Sequence, residues 1–264
     1  MAFPQVYAAK WSGRSSASGL RRVVTTCGKA IVIACFSIPL LVYLPMNPTL
    51  ILASGSPRRR DMLSLFNIPF QVCAAEIDET QQPDELPTEL VVRLSRRKAQ
   101  TIARRFAQAI VIGADTVVVL ENEVLGKPVD AADATEMLRR LRSRAHSVYS
   151  GIALCAQGGD VCTSALSTSV VWMRSYSEDE LAAYVASGDP LDKAGAYGIQ
   201  HEGFHPVSRL RGCFAGVMGL PLCHLRDLFK QMGVSITVDV PAACRSLTGA
   251  LCCGGYDVEM WFET

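Results

Sequence analysis

Beyond residue 49, short runs of aliphatic and β-branched residues alternate with stretches in which apolar side chains recur at helical spacing. Runs of the first kind predict β-strands, and stretches of the second kind predict amphipathic helices. Strands that alternate with helices are typical of a layered α/β fold, so we expect a sheet with helices packed on it.

Turn residues and helix caps place the individual elements. Strands are predicted at residues 50–53, 70–73, 109–120, 146–156 and 161–173, and helices at residues 57–66, 88–106, 131–141 and 177–188. The predicted N-caps are Thr88, Asp130 and Ser177, the last within the capping-box pattern SEDE. We expect residues 113–115 to interrupt the strand at 109–120. The segment after Met232 has no clear period and predicts no element.

The first 45 residues contain no Asp or Glu and lead into an apolar run at residues 30–44. Three interpretations are open. A membrane anchor needs about 20 apolar residues, whereas this run is shorter and is broken by Pro39. A basic, serine-bearing front is also typical of a targeting peptide. The third interpretation, which we favour, is that the working protein begins near Met46 and that residues 1–45 are an added or misassigned extension.

Composition narrows the class of protein. The 264-residue chain has a formal net charge of +1, and a general nucleic-acid binder needs a clear excess of Lys and Arg. The ten cysteines are too sparse for a small disulfide scaffold, and no two have the C-x-x-C spacing. We therefore expect a reduced protein that binds neither nucleic acid nor membrane. We expect it in the cytoplasm, unless the N-terminal segment directs it to an organelle.

The segment LASGSPRRR, residues 52–60, joins a predicted strand to a predicted helix. Small residues at such a junction leave backbone N–H groups at the positive end of the helix dipole, where they attract anions. Ser54 and Ser56 add hydroxyl groups, and Arg58 and Arg59 add planar guanidinium groups suited to phosphate. From these residues alone, a phosphate-binding turn and a solvated basic face both remain open. Arg60 is assigned to the solvated face.

Lys98 stands out within the helix predicted at residues 88–106. It lies in the middle of the apolar arc, whereas Arg93 and Arg97 lie on the opposite arc. A lysine there either extends its ammonium group to the surface or directs it into a polar cleft. We expect a cleft, because the helix already has a separate face for cations.

Asp115 stands between apolar strand segments, where an unpaired carboxylate would be costly. A metal ion or a nearby lysine would offset that cost, although Asp also commonly begins a turn. The acidic cluster Glu76, Asp78 and Glu79 is either a solvated loop or, together with Asp115, a Mg²⁺ site. By itself, Lys127 in the turn GKP is only weak evidence for a functional site.

Seven motifs occur in order between residues 50 and 232: ASGSPRR, EIDET, RRKAQ, GADT, GKP, DKAGAYGIQ and GLPL. Together they resemble the Maf family of nucleoside triphosphate pyrophosphatases. The resemblance implies an elongated, two-lobed α/β fold, with a mixed sheet flanked by helices, similar to the inosine triphosphate pyrophosphatases (the Maf/Ham1-like fold). It also implies a homodimer with its active cleft between the lobes. Residues 46–232 would form this domain, and residues 233–264 a tail of unknown role.

The resemblance also implies a reaction, the hydrolysis of a nucleoside triphosphate to the monophosphate and pyrophosphate with a divalent metal, Mg²⁺ or Mn²⁺. By motif, Asp115 would be the general base or metal-linked carboxylate, and Glu79 the second metal ligand. The residues implied to hold the triphosphate are Ser54, Arg59, Lys98 and Lys127.

Arg58, Thr116 and Gln200 stand where the subfamilies differ, and they agree with the branch that acts on dTTP and UTP rather than on 7-methyl-GTP. A glutamine amide suits these bases, because it can donate to O4 and accept from N3–H. Modified pyrimidine triphosphates share that edge. His201 and His205 depart from the family pattern and are expected on a loop surface.

Two other functions are open at this point. One is a nucleotide-binding regulator of cell division without significant turnover, and the other is an enzyme of the same fold that acts on purine triphosphates. The acidic residues and lysines together favour a hydrolase, because a protein that only binds nucleotides has no need of that set.

Overall fold

A computed structural model of the chain describes residues 23–27, 30–34, 49–250, 252, 254 and 258–262. It divides into two units, residues 1–42 and residues 43–264. In the first unit, β1 (Val23–Cys27) pairs antiparallel with β2 (Ala30–Ala34). The rest of the apolar run and the expected start at Met46 lie outside the described residues. No helix in the described ranges has the length and apolar character needed to span a membrane.

The second unit consists of a mixed sheet with helices on both faces, which confirms the predicted α/β class. Its strands are β3 (Leu50–Leu52), β4 (Phe70–Val72), β5 (Ile110–Leu120), β6 (Glu123–Leu125), β7 (Ala145–Ala156), β8 (Val161–Met173), β9 (Val207–Arg211) and β10 (Glu259–Trp261). Its helices are α1 (Pro57–Ser64), α2 (Pro87–Ala103), α3 (Ala131–Leu141), α4 (Glu178–Ala186), α5 (Phe214–Met218), α6 (Leu222–Gln231) and α7 (Val240–Thr248).

The strand order is β10-β9-β8-β7-β5-β3-β4, and β6 also pairs with β5. The strand β3 runs parallel to both of its neighbours, whereas the other pairs are antiparallel. Side chains of a strand alternate between the two faces of a sheet. In β5, Ile110 and Ile112 accordingly pack with α1 and α6, whereas Val111 packs with α2.

One edge of β5 has a gap. On that edge β3 pairs with residues 110–112 and β6 pairs with residues 118–120, while β7 runs along the opposite edge. Among the described residues, no strand covers residues 113–117 on the first edge. The backbone groups on this edge of the short segment are therefore open to groups from elsewhere in the fold.

The predicted interruption of β5 at residues 113–115 is wrong, because the strand runs through them. Gly113 instead allows α2 to lie close to the sheet: a Cβ atom there would come within 2.0 Å of the carbonyl oxygen of Ser95. Gly151, the cross-strand partner of Asp115, acts in the same way, since its Cβ would lie 2.2 Å from the carbonyl oxygen of Val91.

Helix boundaries also differ from prediction. Thr88 does not cap α2, which begins one residue earlier at Pro87, where the missing N–H of proline costs nothing. The helix ends at Ala103, so Phe106 lies beyond it and is partly exposed. The predicted N-caps Asp130 and Ser177 are confirmed, each accepting a backbone N–H of the first turn.

The segment after Met232, for which the sequence predicts no element, adds to the same unit. It forms α7 and then β10, which pairs antiparallel with β9 at the end of the sheet. The expectation of a fully reduced chain is wrong at one pair, because Cys155 and Cys162 form a disulfide. The register of β7 and β8 places these two residues directly opposite each other.

A buried pair of polar rings lies beside the sheet. The Nε2 atom of His146, on β7, lies 2.7 Å from the hydroxyl oxygen of Tyr197. Its Nδ1 atom is buried and has no hydrogen-bond partner in the described part of the chain. Burial disfavours the charged imidazolium and lowers the pKa of His146 to about 3.

We expect Gly151→Ala to destabilise the protein, because the added methyl group meets helix backbone rather than a flexible side chain. Overpacking of this kind costs about 1–3 kcal/mol. Thermal unfolding should show a lower Tm than the wild type, by about 2–4 °C for each kcal/mol. Gly126→Ala is the matched control, since its Cβ would meet no atom of the described residues within 4 Å. Equal Tm values for the two variants would contradict the close helix approach.

We also expect His146 to make stability fall in acid. The unfolded chain binds a proton near the ordinary histidine pKa of 6.5, whereas the folded chain resists protonation down to about 3. Stability is therefore lost as pH falls from about 6.5 towards 3. The measurement is the free energy of unfolding of wild type and His146→Gln between pH 7.5 and 5. The wild type should lose up to about 1.4 kcal/mol more per pH unit, and parallel curves would contradict the neutral buried state.

Candidate active site

The gap beside β5 opens into a cleft of about 850 Å³. Residues from separate parts of the chain line it, and they include all nine candidates to which the resemblance gives a role in the site. These candidates are Ser54, Arg58, Arg59, Glu79, Lys98, Asp115, Thr116, Lys127 and Gln200. The fold therefore brings together groups that are up to 146 positions apart in the sequence, from Ser54 to Gln200.

A buried ion pair forms the floor of the cleft. The ammonium nitrogen of Lys98 lies 2.6 Å from Oδ1 of Asp115 and 2.8 Å from Oε1 of Glu79. Lys98 is only 8% exposed and Asp115 only 7%. Lys98 therefore points into a polar cleft, as predicted, and Asp115 belongs to a strand rather than a turn.

The charge state of Asp115 depends on two opposing effects. Burial raises the pKa of Asp115, and the positive charge and hydrogen bond of Lys98 act against that rise. Removing the lysine would leave a buried carboxylate with much weaker support for its negative charge. The close approach of α2 over Gly113 and Gly151 is what brings this lysine within hydrogen-bonding distance.

Ser54 is set up to donate a hydrogen bond into the cleft. Its Oγ accepts from the backbone N–H of Ser56 and from Nη1 of Arg59, both at 3.3 Å. A hydroxyl group has one proton and two lone pairs, and both lone pairs are occupied here. The proton is left for an acceptor in the cleft. Ser56 caps α1, as expected for a strand-to-helix turn.

Arg59 fills part of the gap in the sheet edge. Its Nη1 donates to the carbonyl oxygen of Ala114 at 2.9 Å, and its Nε donates to that of Gly219 at 2.9 Å. The preceding edge carbonyl, on Ile112, accepts from the backbone N–H of Ala53, directly after β3, so Arg59 continues the pairing where β3 stops. Its Nη2 donates to Oγ1 of Thr116 at 3.2 Å. In the described part of the chain, one N–H of Arg59 remains for a ligand.

Arg58 and Gln200, two of the three residues linked to specificity by the resemblance, also line the cleft. Arg58 forms an ion pair of 3.1 Å with Asp192, which also accepts from Lys193 at 2.7 Å. Gln200 is exposed at the cleft wall, as is Lys127. Sequence reasoning assigned no role to Asp192 or Lys193, although both lie within or beside the DKAGAYGIQ motif.

The three residues of the predicted acidic cluster do not all belong to the cleft. Only Glu79 of the predicted cluster lines the cleft, whereas Glu76 and Asp78 are exposed. Arg93, predicted on a solvated arc, instead donates from Nη2 to Oε2 of Glu85 at 2.7 Å and so ties this loop to α2. No local signal marks such a contact, because it depends on how the loop folds back over the helix.

The remaining candidates lie elsewhere. Arg60 is exposed and pairs with Asp61 at 3.5 Å, as expected for a residue outside the site. His201 accepts from the backbone N–H of Phe204 at 2.9 Å, and neither His201 nor His205 lines the cleft.

The donor set of the cleft suits a hard divalent cation. The described residues contain no cluster of three or more His, Cys, Asp and Glu side chains arranged to hold a metal. Asp115 and Glu79 share one lysine and therefore lie close to each other. Mg²⁺ commonly uses one or two carboxylates and completes its shell with water and substrate phosphates, so this pair fits it.

Comparison with known proteins agrees with this geometry. The Maf-like protein family matches residues 49–232. A dTTP/UTP pyrophosphatase of Dictyoglomus thermophilum is 41% identical over 192 residues, which cover 72% of this chain and 100% of the relative. One from Syntrophus aciditrophicus is 44% identical over 188 residues, which cover 71% of this chain and 92% of the relative.

Among solved structures, a HAM1 protein from Coxiella burnetii aligns with 76% of this chain and 97% of its own at 16% identity, with a TM-score of 0.40. That likeness is too weak to bear on the assignment. The family match spans more than half of the chain and includes the whole lining of the cleft. The chain belongs to the Maf-like protein family.

Proposed function

We propose that this protein is a nucleoside triphosphate pyrophosphatase that hydrolyses dTTP and UTP to the monophosphate and pyrophosphate. The observation that carries the proposal is the buried pair of Asp115 and Lys98, on the floor of a cleft that is also lined by the turn before α1, to which we assign phosphate binding. Relatives that are 41% and 44% identical over almost their full length bear the name dTTP/UTP pyrophosphatase, which supports the same substrates here.

The triphosphate is bound by donors from the turn that leads into α1, from α1 itself, from α2 and from the turn after β6. Ser54 offers its free proton, the N-terminus of α1 offers its dipole, and Arg59 offers its remaining N–H. Lys98 and Lys127 add positive charge from the floor and the rim of the cleft. These groups stabilise the charge that develops on the phosphate oxygens in the transition state.

Asp115 acts as the general base. Its carboxylate accepts a proton from a water molecule as the water oxygen attacks the α-phosphorus. The bond between the α-phosphorus and the bridging oxygen breaks, and pyrophosphate leaves with the electron pair of that bond. Burial raises the pKa of Asp115, and Lys98 opposes that rise by favouring the ionised carboxylate, the form that a base in this position requires.

Asp115 and Glu79 are the residues that would hold a divalent cation, Mg²⁺ or Mn²⁺. When bound, such a cation neutralises charge on the phosphate oxygens. Lys98 already contacts both carboxylates, so the ammonium group holds the two in place.

The nucleobase of the substrate is recognised at the wall formed by Arg58 and Gln200. The amide of Gln200 donates to O4 and accepts from N3–H, a pair of groups that thymine and uracil share. The ion pair with Asp192 fixes the guanidinium group of Arg58 at this wall. The resemblance further supports a cytoplasmic location and a homodimer. Measuring the oligomeric state in solution would test the proposed dimer.

The alternative is a nucleotide-binding regulator of cell division without significant turnover, and one variant separates the two. Asp115→Asn keeps the shape of the side chain but cannot accept a proton, so kcat for dTTP and UTP should fall at least about 100-fold. Glu76→Gln is the matched control, since Glu76 is exposed, belongs to the same acidic segment as Glu79 and lies outside the cleft.

The measurement is pyrophosphate release with Mg²⁺ or Mn²⁺ from dTTP, UTP, CTP, GTP and 7-methyl-GTP, with Tm recorded for each variant. Full turnover by a folded Asp115→Asn variant would contradict the role of Asp115. Preferential release from GTP would favour the purine enzyme. No release from any nucleotide by the folded wild type would favour the regulator.

A further inference from the structure

We propose that Ser150, which lies beneath the cleft, is a positioning residue that fixes the guanidinium group of Arg59 through Thr116. The inference rests on the proposed function of Arg59 as a ligand of the triphosphate. Ser150 is 1% exposed and does not line the cleft, so it acts on substrate only through other side chains.

The β-sheet register brings the two hydroxyl groups together. Thr116 on β5 and Ser150 on β7 are direct cross-strand partners, so their side chains lie on the same face of the sheet. Their hydroxyl oxygens are 2.7 Å apart. The Oγ atom of Ser150 also lies 2.7 Å from the carbonyl oxygen of Gly216, in α5.

The number of available protons fixes the direction of this chain. A carbonyl oxygen only accepts, so the single proton of Ser150 goes to Gly216. The oxygen of Ser150 must then accept from Thr116, which uses the only proton of that residue. Thr116 is left with lone pairs alone, and one of them accepts from Nη2 of Arg59 at 3.2 Å.

Ser150 therefore ensures that a lone pair of the Thr116 hydroxyl, and not its proton, faces Arg59. Among the described residues, Arg59 also donates to the carbonyl oxygens of Ala114 and Gly219 and to the hydroxyl of Ser54. Carbonyl oxygens are fixed by the backbone, whereas a threonine hydroxyl rotates to suit its neighbours. Without Ser150, the proton of Thr116 is free to turn towards the guanidinium group, where a donor would face a donor.

A structural role for Ser150 has to be separated from positioning, because the residue also ties β7 to α5. Ser169 provides a matched control. It is 2% exposed on the adjacent strand β8, and its Oγ accepts from the backbone N–H of Cys213 at 3.0 Å, just before α5. It thus ties the sheet to the same helix, but it is not part of the chain that leads to Arg59.

The experiment measures kcat/KM for dTTP with the full-length protein and its variants Ser150→Ala, Ser169→Ala, Arg59→Ala and the double variant Ser150→Ala/Arg59→Ala. We expect Ser150→Ala to lower kcat/KM about tenfold, the order expected for one charge-assisted hydrogen bond. Ser169→Ala should lower Tm comparably and leave kcat/KM within about twofold. In the Arg59→Ala background, Ser150→Ala should have no further effect.

Each outcome bears on one claim. If Arg59→Ala leaves kcat/KM unchanged, the proposed role of Arg59 itself is wrong. If Arg59→Ala lowers kcat/KM but Ser150→Ala behaves like Ser169→Ala, or the two losses multiply in the double variant, the positioning role is overturned. Thr116→Val removes the middle hydroxyl at nearly constant volume and carries the same test should Ser150→Ala fail to fold.

Discussion

The site depends on one feature of strand pairing, the uncovered segment of β5 between the end of β3 and the start of β6. Neighbouring side chains of a strand point to opposite faces, so a strand inside a sheet presents them to different layers. Where no strand pairs with the edge, side chains from both faces of the strand can reach the same space beside it. This is how Asp115, directed towards α2, and Thr116, directed towards α5, come to line one cleft.

The open edge also carries backbone groups that need partners, and Arg59 supplies one of them at Ala114. The same guanidinium group contacts Ser54, Thr116 and Gly219, so one side chain joins the turn after β3 to β5 and to the end of α5. Electrostatic catalysis needs donors that are fixed before the substrate arrives. Arg59 meets that need because most of its N–H donors are bonded to the protein. Few of them then remain to contact the ligand.

The second requirement is the close packing of α2. The helix lies directly over Gly113 and Gly151, and this brings Lys98 to the floor of the cleft. A buried carboxylate is tolerated only with a partner, and the lysine provides one from an otherwise apolar helix face. The stability of the sheet and the charge of Asp115 thus depend on the same contact between helix and strand.

Much of this organisation could be predicted from the sequence, because it is local. The caps Asp130 and Ser177, the turn at Ser54, and the inward lysine Lys98 follow from short-range spacing and periodicity. Gly113 was misleading, because glycine suggests a break in a strand when only that strand is considered, whereas its function here is to admit a helix from elsewhere in the fold.

Long-range contacts account for the other differences. Ser150 is one of two serines on a mostly buried strand, and its contacts come from Thr116, 34 positions away, and Gly216, 66 positions away. Arg93 meets a loop that folds back over α2. The strand β10 pairs with β9, which is distant from it in the sequence. Such contacts are properties of the assembled fold and leave no periodic pattern.

The most direct test of this account is a crystal structure with α,β-imido-dTTP, whose α–β linkage resists hydrolysis. We expect the triphosphate to lie along the open segment of β5, with the α-phosphorus beside Asp115 and the base against Gln200. A nucleotide bound outside this cleft, or one with its γ-phosphorus at Asp115, would contradict the claim that the gap in the sheet edge is the active site.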